Sequence, residues 1–105
     1  MNVNDYGVVF AFYTAFDMSA YSSISITLYP PNPGIPPLVV SNPKVTVPSV
    51  PFTYPGGSLP ANEYAQYTFE EGDIAYAGTW TARVTYSVAP SIQLISDVGS
   101  FLVGP

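Results

Sequence analysis

The sequence predicts an all-β fold, an antiparallel β-sandwich of about seven or eight short strands. Three observations lead there. Apolar residues recur with period two and nowhere with the helical period. Turn formers interrupt the chain about every 8–12 residues, the spacing of a sandwich. Ten of the twelve prolines crowd into residues 30–60, where the missing N–H confines the chain to edge strands and loops.

Taken in order, Val8, Phe10 and Phe12 suggest a first strand, followed by a turn at Asp17-Met18-Ser19. The second strand is cleaner. Over Ser23–Tyr29, Ile24, Ile26 and Leu28 face one way while Ser23, Ser25 and Thr27 face the other. Residues 30–37 hold PxxP spacings, compatible with a polyproline II ligand; the simpler reading is a stiffened hairpin loop that loses little entropy on ordering. Shorter strands are predicted at 38–41, 44–47 and 50–54, with a turn at Pro55-Gly56-Gly57. Residues 60–70 admit a short helix with Ser58 as N-cap, but the β-favouring Tyr67-Thr68-Phe69 supports a strand carrying Ala65, Tyr67 and Phe69. Glu70-Glu71-Gly72-Asp73 is a turn. Over Gly78–Val88, Trp80, Ala82, Val84, Tyr86 and Val88 alternate with Thr79, Thr81, Arg83, Thr85 and Ser87, which makes a long strand with one wet face. After a turn at Ala89-Pro90, Phe101 and Val103 mark the last strand. Alternation points Tyr67, Trp80 and Tyr86 inward.

At 105 residues the chain is expected to be one domain, residues 1–105, large enough for one core without staples. Having neither Cys nor His, it lacks disulfides, thiol chemistry, the commonest transition-metal ligand and every Ser–His or Cys–His couple. Lys44 and Arg83 are the only basic residues, and a net charge of −5 opposes binding to nucleic acid or to an anionic membrane face. Charged residues make up 9%, against roughly 25% in an average globular protein. So little charge suggests a surface largely covered by other chains, as in a subunit of an assembly. No apolar run is long enough to span a membrane, and no basic-then-apolar leader opens the chain. A soluble chain made in a cytoplasm is therefore expected.

Enzymatic chemistry finds no footing: no cofactor is expected, Gly56-Gly57 lacks the lysine and helix of a phosphate loop, and no motif supplies a base for a hydroxyl nucleophile. Glu70, Glu71 and Asp73 are calcium candidates by their chemistry, although their spacing lacks the alternating acids of an EF-hand loop; a solvated turn is the simpler reading. The nine tyrosines suggest contact with protein or sugar. Tyr21, Tyr54, Tyr64 and Tyr76 fall at strand ends or turns and, with Pro31, Pro33, Ile35 and Pro36 of the stiff loop, form the expected interface set.

Two stretches carry a family resemblance. One runs from Phe10-Ala11-Phe12 through Asp17-Met18-Ser19-Ala20 and Ile24-Ser25-Ile26-Thr27-Leu28 to a Pro-Gly turn. The other runs from Tyr67 through Asp73-Ile74 and Ala77-Gly78-Thr79-Trp80-Thr81-Ala82, closing with Ser96-Asp97 and Phe101-Leu102-Val103. Together they resemble the small immunoglobulin-like domain of tailed-bacteriophage structural proteins, best known at the N-terminus of baseplate upper proteins. Asp73, Gly78 and Trp80 are its structural motif. Gly78 would turn the corner into the strand, Trp80 would fill the space between sheets, and Asp73 would accept hydrogen bonds from turn amides. The resemblance implies an immunoglobulin-like sandwich acting as a non-enzymatic virion subunit, made in the bacterial host's cytoplasm, with other virion proteins as partners. A tail, baseplate or fibre-attachment position is expected; head decoration is the alternative, and a carbohydrate- or host-surface-binding module a further one.

Overall fold

A computed structural model describes residues 1–88, 92–96 and 98–105. The strands are β1 (Val9–Tyr13), β2 (Ser23–Tyr29), β3 (Leu38–Ser41), β4 (Phe52–Tyr54), β5 (Gly57–Leu59), β6 (Tyr64–Thr68), β7 (Gly78–Val88), β8 (Ile92–Ile95) and β9 (Gly99–Val103). The described residues contain no helix, and all strand pairs are antiparallel. The predicted turn at Ala89-Pro90 and Asp97 of the closing motif lie outside the described residues.

The larger sheet runs β3-β2-β7, with β8 and β9 end to end along the far side of β7. Ala82, for instance, pairs with Leu28 on one side and Gly99 on the other. Ser96, just past β8, holds on to β7: its N–H donates to the Val84 carbonyl at 2.8 Å, and its hydroxyl accepts the Val84 N–H at 2.9 Å. The smaller sheet pairs β1 with β6, and Thr46 exchanges two backbone bonds with Gln66 on the other side of β6. The β4–β5 hairpin turns tightly at Pro55-Gly56, with Gly56 at φ +98°.

Alternation places the core. Ile24, Ile26 and Leu28 of β2 and Trp80, Ala82, Val84 and Tyr86 of β7 meet Phe12, Ala65 and Tyr67 of the smaller sheet in one buried cluster. Met18, Val45, Phe69 and Ile74 seal it from connecting segments. Each large side chain so buried contributes about 1.5–3 kcal/mol. Apolar faces of two antiparallel sheets sharing a core make an arrangement compatible with a β-sandwich.

β2 and β7 fall where alternation puts them, β3 fills the predicted 38–41, and 60–70 holds a strand rather than a helix. The proline-rich third does supply an edge strand, β3, and a peripheral hairpin. Residues 44–47 differ from expectation. The Ser41 carbonyl accepts both the Lys44 and Val45 N–H groups, so the chain turns there, buries Val45 and keeps only the Thr46 bridge. Two strands went unread: β5, hidden behind Gly56-Gly57, and β8, whose four residues show no clear period.

Candidate functional site

The pairing of β2 with β7 ends at Tyr29↔Thr81, so the chain leaving β2 emerges beside the residues that enter β7. Pro30 and the loop after it form one wall of a groove. The Ile35 N–H donates to the Asn32 carbonyl at 3.1 Å, closing a turn with Pro33 and Gly34 at its centre, and Pro36-Pro37 lead stiffly into β3. The opposite wall is the β6–β7 connection. Gly72, at φ +90°, lets it turn, and the Asp73 N–H closes it on the Glu70 carbonyl at 3.1 Å. Asp73 Oδ2 accepts the Glu70 N–H at 2.8 Å and the Tyr67 hydroxyl hydrogen. Trp80 lies at the bottom, 1% exposed, and its indole N–H donates to the Tyr76 carbonyl at 2.9 Å, holding the Tyr76 segment in place. The groove encloses about 270 Å³.

Of the predicted interface residues, Ile35, Pro36 and Tyr76 line this groove together with Asp73 and Trp80. Leu38 and Ala75 complete its apolar lining and were not foreseen; Leu38 gave a signal as the first residue of a strand following two prolines. Pro31 packs over Gly78, where a Cβ would come within 2.9 Å of the proline ring. Pro33 is exposed at the turn. Tyr54 is exposed on β4, lying across Gly57, and Tyr21 is half-buried against the core. Tyr64 is a correction. It is 1% exposed, its hydroxyl donates to the Val50 carbonyl at 2.9 Å, and Phe52 packs edge-on against its ring at 5.8 Å. The β4–β5 hairpin covers the face of β6 that alternation leaves outward, so Tyr64 is structural and not an interface residue.

The calcium candidates do not converge: among the described residues no three acidic side chains are placed to hold a metal ion. Glu70 instead pairs with Lys44 at 2.9 Å, an exposed ion pair of little energetic weight, and Asp73 is taken up by its turn. Burial, then the hydrogen bond to Asp73, pushes the Tyr67 phenol above its ordinary value. Above about pH 10 the unfolded chain releases this proton while the folded chain keeps it, so the stability it contributes is present below that pH and is lost as pH rises further. Urea unfolding at about pH 8 and about pH 11 should therefore show a larger loss for the parent chain than for Tyr67→Phe. Equal losses would mean that the Tyr67–Asp73 pair does not govern alkaline stability. At the other end of the scale, the Ser19 N–H, donating to the Asp17 carboxylate at 2.8 Å, holds that acid below its usual range.

In comparison with known proteins, no protein-family model, curated protein or solved structure matches this chain.

Proposed function

We propose that this chain is a non-enzymatic structural subunit of a bacteriophage virion, a tail, baseplate or fibre-attachment component that docks through apolar and proline-rich loops. The observation that carries the reading is the groove between the proline-rich loop and Tyr76. Its walls are stiff, its lining is mostly apolar, and its single charged residue, Asp73, has Oδ2 engaged by its own turn. Such a surface binds by burying apolar area with little ordering cost. The immunoglobulin-like assignment is supported by connectivity. Taking β1 as strand B, β2 as C, β3 as C′, the Thr46 segment as D, β6 as E, β7 as F and β8–β9 as G reproduces the B-E-D and C′-C-F-G pairings of such sandwiches. One difference is that the buried tryptophan stands on the F position rather than on C.

The test is quantitative mass spectrometry of purified particles, with the ratio of this chain to the major capsid subunit as readout. A few copies per particle are expected. Abundance matching the capsid lattice would move the chain to head decoration, and absence from the particle would overturn the virion reading. Ile35→Asp combined with Tyr76→Ser should leave the fold intact and reduce incorporation about tenfold or more, since interface anchors cost about 2 kcal/mol each; unchanged incorporation would clear the groove of a docking role.

A specific feature favours a second reading: Tyr76, 40% exposed, lines the same groove as Asp73, a pairing suited to stacking and hydrogen bonding a sugar. A saturable change in tyrosine fluorescence on glycan titration, abolished in Tyr76→Ala, would establish it. A virion subunit that only docks gives none.

A further inference from the structure

Along an antiparallel strand, successive residues alternate between bonding a neighbour and pointing their backbone groups the other way. In β1, the Val8 carbonyl accepts the Phe69 N–H at 3.0 Å and the Thr14 N–H donates to the Glu63 carbonyl at 2.9 Å, so the even-numbered residues face β6. Gln66, opposite Ala11, spends its own groups on Thr46, as this phase requires. The N–H and C=O of Val9, Ala11 and Tyr13 therefore point away from β6 and meet no partner among the described residues. β9 behaves the same way. Gly104 faces outward, accepting the Val3 N–H at 2.9 Å and donating to the Met1 carbonyl at 2.8 Å. Alternation then turns Ser100 and Leu102 outward on the same side, again without a partner among the described residues.

β1 is the edge of the smaller sheet and β9 an edge of the larger, and both open onto one groove of about 240 Å³ lined by residues 10–13 and 99–101. Aromatic rings close its base. Phe10 and Phe101 stand 5.2 Å apart, and the Phe12 ring lies so near Gly99 that a Cβ there would approach to 2.8 Å. Exposed edges are normally blunted with charge or proline. Neither β1 nor β9 holds a charged residue or a proline, whereas β3, the opposite edge, is bracketed by Pro36-Pro37 and Pro43-Lys44.

We propose that the β1–β9 groove is a strand-addition site for an extended segment of a different polypeptide, apolar at alternate positions and free of acidic residues. The added strand runs parallel to β9, continuing the line begun by the parallel Asn2↔Gly104 bridge. Main-chain bonds to Val9, Ala11, Tyr13, Ser100 and Leu102 supply affinity, and the aromatic base selects apolar side chains. Charge argues against a second copy as the occupant. Two chains of net charge −5 repel, while a neutral strand with basic flanks is attracted. Each strand of this chain is, moreover, already bonded to another. This site is separate from the proline-rich groove and does not depend on the virion reading.

The probe is the synthetic peptide Lys-Val-Thr-Val-Thr-Val-Lys, titrated calorimetrically into the intact chain with amide hydrogen exchange followed by NMR. Saturable binding is expected, with exchange at the amides of Val9, Ala11, Tyr13, Ser100 and Leu102 slowed about tenfold or more and the β3 edge unchanged. Methylating the backbone nitrogens of the peptide's valines should weaken binding about tenfold, because each lost main-chain bond costs a factor of several. Ala11→Pro removes a donor that the fold itself does not use and should weaken binding similarly. No binding up to about 1 mM peptide, or binding that leaves these five amides unprotected or survives methylation, would overturn the proposal.

Discussion

Trp80→Ala is expected to lower the free energy of unfolding by about 3–5 kcal/mol, a large share of the about 5–15 kcal/mol typical of a domain. Trp80 belongs to the buried core cluster, stands on a central strand of the larger sheet and is 1% exposed. Its ring stacks on Phe101 with centroids 6.1 Å apart and planes 21° from parallel, so truncation empties the space between β7 and β9 as well as that between the sheets. The neighbours cannot collapse into the void, because Phe101 is also held by Phe10 and Phe69. Truncation also strips the Tyr76 carbonyl of its hydrogen bond. Trp80→Phe should cost less, since a ring remains. Urea titration with fluorescence from the remaining tyrosines measures both. A shift below about 1 kcal/mol for the alanine variant would show that the core closes without this side chain.

Gly78→Ala is the second. Gly78 opens β7 at φ +131°, a conformation in which an L-residue is strained by about 1–3 kcal/mol. A Cβ there would also meet both Cβ and Cγ of Pro31 at 2.9 Å. The proline ring cannot swing away as a flexible side chain would, so overpacking adds about 1–3 kcal/mol. A total loss of about 2–6 kcal/mol is expected. The two causes can be separated. In a Pro31→Gly background the contact is gone and only the backbone strain persists, so Gly78→Ala should cost roughly half as much there. Equal costs in both backgrounds would remove Pro31 from the account and leave conformation alone.

How far the sequence disclosed this depends on the residue. β2 and β7 were legible to the residue because both are central strands with a buried face and a Ser/Thr face, the case in which period two is strictest. β5 and β8 were opaque, since Gly57-Ser58-Leu59 and Ile92-Gln93-Leu94-Ile95 are too short and too irregular to carry a period. Tyr64 was misjudged for a different reason. Alternation tells which face of a strand meets the sheet opposite, but not that a hairpin will fold over the other face. The nearby Phe52 and Tyr54, rings without an obvious core to join, were the available hint. The groove was half visible. Its proline loop and its Tyr76 turn could each be recognised as a rigid exposed segment, yet their meeting depends on the β2–β7 register, which pairs residues more than fifty positions apart.

The side-by-side position of Met1–Val3 and Gly104, tied by two backbone bonds, separates the order of the strands along the chain from their order in space. A short linker between the ends would close the chain into a ring with little disturbance, and new ends could be opened at the exposed Pro55-Gly56 turn, outside both sheets. For the same reason the whole fold could be set into a surface loop of a host protein without prising that loop apart. Its architecture is thus portable: a module that can be permuted or inserted while each strand keeps its neighbours.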